Sequence, residues 1–397
     1  MIISRILFTC IFFLTFLNII LKKEDFLKPK YLFTLVISGC LMISSLKLSG
    51  LQNDFSVEFI LIMLLAMINF VLGSLLNNKP VNNNIVFYNY DKFKFKIATT
   101  IIYFLVLLSY IITWKRLGPP PIFSKVDRSN YYLPRIEAIF LLIYLLTFLL
   151  IYDYFNKRAL GKLFYFYIIS VIFMVLSKTN KYSILYIFLM FFILYNILKI
   201  KIKIKTLVII GIGIILMFLI LYSFVYNDIY INTSQRYIVN KMNIPLELSF
   251  LIDPYIYIMC NFENLNNYIV NGPNTFFMGA ASFKFIFSIM NIDSGVSETW
   301  KNNLQYPWLN TGSMFKDFYM DFGIIGIIIF TFLIGFIATY VYRKAISQKN
   351  ILYCFLYTSI TYALCMSFFT NYFAATDFVF NVIICYIVSK FIENSKA

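Results

Sequence analysis

Long apolar segments separated by short polar loops make up most of this chain. Each apolar segment has about 17–21 residues, which at 1.5 Å per residue is enough to cross a hydrocarbon core about 30 Å thick. The segments cover residues 2–21, 31–46, 56–76, 97–114, 136–154, 161–177, 183–200, 206–226, 323–342, 352–370 and 374–391. The pattern predicts an all-α, polytopic integral membrane protein with about 11 transmembrane helices, within a range of roughly 10–12.

One long mixed segment interrupts this pattern. Residues 227–322 combine polar, aromatic and apolar residues, and the apolar segments resume at Gly323. The chain therefore divides into an N-terminal transmembrane bundle (1–226, about eight spans), a large loop (227–322) and C-terminal transmembrane helices (323–397, about three spans).

Two stretches of the large loop are too apolar to lie free in water. Residues 244–260 and 274–290 are expected to form interfacial or re-entrant helices that lie on or dip into the membrane. The Asp253-Pro254 pair is expected to break the first of them. Residues 262–273, with their Asn and Gly, are expected to form turns.

Composition agrees with the membrane class. Hydrophobic residues make up 61% and charged residues 13%, against roughly 25% charged residues in a typical soluble domain. The net charge of +16 would suggest nucleic acid in a soluble protein, but here most Lys and Arg lie in short loops between apolar segments. We therefore expect membrane lipids as partners and no nucleic acid.

The basic residues also predict an orientation. They concentrate in the odd-numbered loops and at the C-terminus, for example in the run Lys199, Lys201, Lys203 and Lys205. By the positive-inside rule these loops are cytoplasmic. The N-terminus and the large loop are then extracytoplasmic, and the C-terminus is cytoplasmic. Heavy use of Ile, Phe, Tyr, Asn and Lys is typical of AT-rich bacterial genomes, which predicts a multi-pass protein of a bacterial inner or plasma membrane.

The rare residue types exclude several chemistries. The chain has no His, which excludes His-ligated metals, Ser-His or Cys-His nucleophiles and an imidazole base. Five of its six Cys fall within apolar segments, so a disulfide framework is not expected. We predict neither a metal site nor a cofactor.

Many cations lie on the predicted outer side, against the insertion bias. They are Arg116, Arg128 and Arg135 in the fourth loop, Lys178 and Lys181 in the sixth, and Arg236 and Lys316 in the large loop. An anionic ligand such as phosphate or pyrophosphate would explain them, because Arg binds it bidentately and Lys as a point charge. Contacts with anionic headgroups, or a different topology, are the alternatives.

Carboxylates are scarce, and those outside are the only available bases. Asp253, Glu263 and Asp321 are the candidates for catalysis. For each of them, an ion pair with a neighbouring Lys or Arg is the alternative role.

Residues 310–326, NTGSMFKDFYMDFGIIG, contain the most specific motif of the chain, with Thr311, Tyr319, Asp321, Phe322, Gly323 and Gly326. A physical reading is that Gly323 and Gly326 permit close helix approach and that the acids lie at a helix N-terminus. The segment also resembles the signature of bacterial oligosaccharide repeat-unit polymerases of the O-antigen and capsule type. The resemblance extends loosely over the early spans, the basic fourth loop and the large loop. Many relatives have Arg where this chain has Lys178 and Lys181.

The resemblance implies a membrane glycosyltransferase acting at the outer leaflet. Such an enzyme joins polyprenyl-pyrophosphate-linked oligosaccharide repeats, with polyprenyl pyrophosphate as leaving group and a hydroxyl of the incoming repeat as nucleophile. The external cations would stabilise the developing charge and a carboxylate would polarise the hydroxyl. A chain-length regulator and a flippase would be partner proteins. A lipid-linked oligosaccharide flippase or transporter and an O-antigen-type ligase are the alternatives.

Overall fold

The structure is a computed structural model that describes residues 2–77, 90–124, 130–156, 159–179, 181–198, 213, 241–243, 251–273, 275–290, 292–305 and 310–393. The described residues form helices, with two isolated β-bridges, Ser49–Met242 and Tyr90–Glu393. The helices described, labelled in chain order, are α1 (Ile2–Lys22), α2 (Pro29–Ser44), α3 (Val57–Leu76), α4 (Lys92–Leu117), α5 (Pro134–Phe140), α6 (Ile143–Phe155), α7 (Leu163–Ser177), α8 (Lys181–Leu198), α9 (Ile252–Asn271), α10 (Lys284–Ile289), α11 (Val296–Asn302), α12 (Met314–Gln348), α13 (Ile351–Cys365) and α14 (Thr376–Ile392).

Five apolar helical stretches are long enough to cross a membrane. They are Ile3–Lys22, Val57–Leu76, Lys92–Leu117, Pro134–Phe155 and Met314–Gln348, and α2, α7, α13 and most of α8 are shorter apolar helices. Their outer faces carry exposed side chains such as Ile3 (79% exposed) and Ile325 (66%), which water would not tolerate over so large an area. The all-α prediction is confirmed for the described residues, and the long helices indicate a helical membrane protein. The predicted span 206–226 lies outside the described residues.

Packing divides the chain into two compact units. Unit 1 contains Met1–Lys79, Ile204–Tyr340 and Ala363–Ala375, and unit 2 contains Pro80–Lys203, Val341–Tyr362 and Thr376–Ala397. The division expected from sequence followed the large loop, whereas the division by contacts joins part of that loop to the first three helices. The reason is that α9 packs directly on α2 and α3.

In unit 1, α3 and α12 cross at two glycines. A Cβ added to Gly73 would lie 2.1 Å from the carbonyl oxygen of Phe332, and one added to Gly335 would lie 2.2 Å from that of Phe70. Ser74 Oγ adds a hydrogen bond to the carbonyl oxygen of Gly335 at 3.3 Å. Small residues therefore let the two backbones touch, as is common between membrane helices.

In unit 2, hydroxyl groups join α4 to α7 in parallel register. Three pairs, each 67 residues apart, are Thr100–Tyr167 (2.9 Å), Tyr103–Ser170 (3.2 Å) and Tyr110–Ser177 (2.8 Å). Two helices run parallel when one helical crossing lies between them in the sequence. Here α5 and α6 together form that intervening crossing, Pro134–Phe155. The C-terminal ends of α4 and α7 consequently lie at the same end of unit 2.

The expectation for residues 262–273 was wrong. Helix α9 continues through them to Asn271, because their polar side chains find partners elsewhere in unit 1. Pro254 does not break a helix either. It lies in the first turn of α9, where its missing N–H costs nothing. Among the described residues of the second expected stretch, 274–290, the α-helical part is α10.

Candidate functional site

Helix α9 carries an unusual number of buried polar residues. Asn261, Glu263, Asn264 and Asn266 are all at most 5% exposed. Buried polar groups in native proteins are nearly always hydrogen-bonded, so the surroundings of α9 must supply partners.

Partners on one side of α9 come from the segment between α2 and α3. The backbone N–H of Ser56 donates to Asn266 Oδ1 at 2.9 Å, and Asn266 Nδ2 donates to the carbonyl oxygen of Asp54 at 3.3 Å. The hydroxyl of Tyr255 accepts from the N–H of Leu48 at 2.9 Å. These bonds join residues more than 200 positions apart.

Partners on the other side come from the segment before α12. Asn264 Nδ2 donates to the carbonyl oxygen of Thr311 at 2.8 Å, and Asn267 Nδ2 donates to that of Asn303 at 2.8 Å. The Thr311 hydroxyl also lies 3.4 Å from Cys260 Sγ. Helix α9 thus positions the start of the 310–326 motif.

Glu263 is the most perturbed carboxyl in this assembly. It is 3% exposed. Its Oε2 accepts from the N–H of Asn53 at 3.1 Å, and its Oε1 has no hydrogen-bond partner among the described residues. The amide NH₂ of the neighbouring Gln52 donates to the carbonyl oxygen of Ser44 at 2.9 Å. Burial raises the pKa of Glu263 to about 7, and hydrogen bonding by the Asn53 N–H and the Gln52 side chain opposes this rise.

An ion pair stands beside Glu263. Lys47 pairs with Asp54, and the two charges act on Glu263 in opposite directions, with Lys47 lowering and Asp54 raising its pKa. Burial is the largest of the influences on this pKa. A carboxyl with a pKa near neutrality is able both to accept and to release a proton, which suits a general acid or base.

Asp321 has a different environment. It is fully buried, and its carboxylate accepts two backbone hydrogen bonds, from the N–H of Ala281 to Oδ1 (2.9 Å) and from that of Ser282 to Oδ2 (2.6 Å). Both oxygens are engaged by the chain itself. These contacts favour a structural role for Asp321, as the attachment point of residues 281–282.

The glycines of the motif form a break within α12. Phe322 and Gly323 leave helical geometry, and Gly323 has φ +60° and ψ −143°, a conformation essentially restricted to glycine. A Cβ on Gly326 would lie 2.2 Å from the carbonyl oxygen of Phe318, on the other side of the break. The close approach at Gly326 is therefore to the helical segment before the break, and Gly323 allows the chain to turn. Tyr319, also in the motif, is half-buried and packs against Tyr268.

Lys316 is already engaged within unit 1. Its Nζ lies 5.0 Å from the centroid of the Trp300 ring and 3.1 Å from Asp317 Oδ1. A phosphate at this position would have to compete with Asp317. The expected anion contact of Lys316 thus requires the ion pair to open.

Lys178 lies in unit 2, in a buried ion pair. Its Nζ is 2.6 Å from Glu137 Oε2 and 3.8 Å from the centroid of the Phe140 ring. Burial lowers the pKa of Lys178, and Glu137 opposes that effect. Loops four and six therefore meet at this end of unit 2, as their shared predicted side requires.

Two predicted arginines, Arg116 and Arg135, precede Glu137 in the sequence and are exposed. Arg116 lies in the last turn of α4, and Arg135 lies in the first turn of α5. Tyr131 closes the connection between these helices by donating to the carbonyl oxygen of Gly118 at 3.1 Å. The chain thus presents cations at the end of unit 2 where α4 ends and α5 begins.

Four of the predicted residues have no described side-chain environment. Arg128 and Arg236 lie outside the described residues, and the side chains of Asp253 and Lys181 do as well. In the ranges that are described, no three His, Cys, Asp or Glu side chains converge as ligands of a metal ion.

The asparagines of α9 were not among the predicted site residues. Asn261, Asn264, Asn267 and Asn271 recur at helical spacing, a polar stripe that indicates a helix with a buried polar face. Gln52 and Asn53 carried no signal of their own, because their role depends on the distant Glu263.

Comparison with known proteins assigns the chain to no class. No family model, no curated protein and no solved structure matches it. The resemblance of residues 310–326 remains an expectation.

Proposed function

We propose that the chain is a membrane glycosyltransferase that polymerises polyprenyl-pyrophosphate-linked oligosaccharide repeats into a surface polysaccharide, such as O-antigen or capsule, at the outer leaflet of a bacterial plasma membrane. In this proposal the chain crosses the membrane about 11 times. Its N-terminus and large loop are outside and its C-terminus is cytoplasmic.

The environment of Glu263 is the main observation that supports the proposal. A hydroxyl of the incoming repeat has to lose its proton as it attacks the anomeric carbon, and a base with a pKa near the working pH is best suited to take it. Glu263 has a pKa of about 7 and an oxygen without a partner among the described residues. Asn264, the next residue, is bonded to Thr311 of the motif.

Within unit 2, taken by itself, the exposed cations are a proposed binding site for a pyrophosphate group. Its phosphate oxygens carry negative charge, and fixed cations stabilise that charge. Arg116 and Arg135 are exposed and able to bind phosphate oxygens bidentately. Lys178 is buried and paired with Glu137, so we assign it to holding the end of α7 against α5.

The experiment is complementation of a deletion strain. The wild-type gene should restore high polymer, and Glu263→Gln should leave single repeat units at normal membrane abundance of the protein. Glu298→Gln, an exposed carboxylate of α11, is the matched control and should restore polymer. Polymer length is measured by gel and abundance by blot. Full polymer from Glu263→Gln would refute the role of Glu263.

The deletion strain also separates the alternatives. A ligase defect would leave complete polymer on the polyprenyl carrier, and a flippase defect would leave the repeat on the cytoplasmic side. Normal polymer in the deletion strain would refute the proposed activity as a whole.

A further inference from the structure

A segment that we call the strap, residues 275–283, is attached to the break in α12. The N–H of Phe277 donates to the carbonyl oxygen of Met320 at 3.1 Å, and that of Met278 donates to the carbonyl oxygen of Asp321 at 3.3 Å. The Asp321 carboxylate accepts the two further bonds from Ala281 and Ser282. Four backbone N–H groups of the strap therefore have partners in two consecutive residues of α12.

The attachment holds the strap in a strained conformation. Met278 has φ +48°, in the left-handed region that a non-glycine residue occupies at an energetic cost. The ring of Phe276 occupies the space that a side chain would need at Gly323, because a Cβ there would lie 3.0 Å from the ring. Gly323, whose backbone conformation favours glycine, thus also leaves room for the Phe276 ring of the strap.

The free face of the strap is apolar. Met278 is 72% exposed and Phe276 is 52% exposed, and Phe283 is exposed as well. In α10, which follows, Ile286 is exposed, and so is Met290 directly after it. Residues 275–283 include no charged residue, and Lys284, at the start of α10, is exposed. An apolar face with a Lys at its edge is the pattern of a segment inserted at a membrane interface.

This apolar face is continuous with that of α12. The ring of Phe283 lies 6.0 Å from that of Phe330, two turns beyond the break. On the same part of α12, Ile325 and Ile329 are exposed. These residues belong to the longest apolar helix of the described chain, which is long and apolar enough to cross a membrane. The strap therefore continues an apolar surface of that helix.

We propose that the strap is inserted among the acyl chains of the membrane leaflet next to the break in α12, and that Asp321 sets its depth. The aliphatic and aromatic side chains of the strap contact lipid. The four hydrogen bonds hold the backbone of the strap on α12 and keep it from moving deeper into the bilayer. The motif residues Asp321 and Gly323 then serve as the anchor of a lipid-binding segment.

The test places a fluorescent label on the strap in lipid nanodiscs. Cys10, Cys40 and Cys365 are first replaced by Ala, to give a background that takes up no label. Met278→Cys is then labelled with an environment-sensitive dye and compared with the matched control Ser297→Cys, on an exposed polar position of α11. Lipids brominated along their acyl chains should remove about half of the emission at 278 and little at 297. Aqueous iodide should have the opposite effect.

Two results would overturn the proposal. Strong iodide quenching at 278 without bromolipid quenching would show a water-exposed strap, available to a protein partner. Bromolipid quenching that is unchanged by Asp321→Asn would show that Asp321 does not set the depth. If that variant fails to accumulate, the comparison of Asp321→Glu with the wild type supplies the second measurement, because the longer side chain keeps the charge and shifts the strap.

The strap proposal does not depend on the proposed enzymatic activity. Quenching is measured on purified protein without substrate. Loss of polymerisation with normal quenching would leave the strap proposal intact, and normal polymerisation with iodide quenching at 278 would refute it alone.

Discussion

Replacing Glu263 by Gln should stabilise the protein at neutral pH while removing the proposed base. The side chain is buried, and burial raises its pKa from the ordinary 4.5 to about 7. A neutral amide keeps the acceptor for the Asn53 N–H without the charge. Stability and activity should therefore change in opposite directions, which distinguishes a functional carboxyl from one that serves packing.

The magnitude follows from the two protonation equilibria. Between pH 4.5 and 7 the folded protein holds a proton on Glu263 that the unfolded chain has released, so the free energy of unfolding falls as the pH rises. The stabilisation by this bound proton is fully present below about pH 4.5, is lost progressively up to about pH 7, and is absent at higher pH. A pKa difference of one unit corresponds to about 1.4 kcal/mol. The total loss of unfolding free energy is therefore about 3 kcal/mol.

The assay is unfolding in detergent from pH 4.5 to 8, followed by the fluorescence of Trp residues, among them Trp300, which is buried against Tyr268. Wild-type stability should decline up to pH 7 and then level off. The Gln variant should show a flatter profile and exceed the wild type by about 3 kcal/mol at pH 8. The exposed control Glu298→Gln should follow the wild type.

Parallel pH profiles for wild type and Glu263→Gln would refute the reasoning. They would mean that Glu263 titrates at its ordinary pKa in the folded protein, and a base with a pKa near neutrality would no longer be available. A variant less stable than the wild type at pH 8 would show that the Glu263 charge is compensated by the site.

Three further predictions concern other parts of the structure. Gly73→Ala should sharply reduce folded protein in size-exclusion profiles, because the added Cβ would meet backbone at 2.1 Å, whereas Gly39→Ala, which meets only the Phe12 ring at 3.1 Å, should be tolerated. Lys178→Met should cost about 3–5 kcal/mol of unfolding free energy by leaving Glu137 buried without its partner, and adding Glu137→Gln should restore most of it. Arg116→Ala should slow polymerisation of a purified lipid-linked repeat by about 10²- to 10³-fold if it stabilises the leaving group, with Lys intermediate, and an unchanged rate would exclude that role.

Much of the fold could be predicted because membrane helices are specified locally. A run of apolar residues long enough to cross the bilayer can be recognised without any knowledge of its neighbours. The predicted spans from 2–21 to 183–200 and from 323–342 to 374–391 each overlap a described helix, and five helical stretches of the described chain are long and apolar enough to cross a membrane. The candidate carboxylates were also found from sequence, since acids are rare in this chain. Glu263 and Asp321 were predicted as candidate catalytic carboxylates. The difference between their environments could not be predicted from the sequence.

Tertiary structure decided how those acids behave. Glu263 has its raised pKa because α9 buries it against residues 52–53, and Asp321 is occupied because residues 281–282 donate to it. The asparagines of α9 lie in a helix, although Asn as a residue type predicts turns. They are hydrogen-bonded by partners far away in the sequence. Ser56, for example, donates to Asn266 across 210 residues. Hydropathy and helix length are properties of a segment and can be read from it. Hydrogen-bond partners, burial and the pKa values that follow from them belong to pairs of segments, and only folding brings those together.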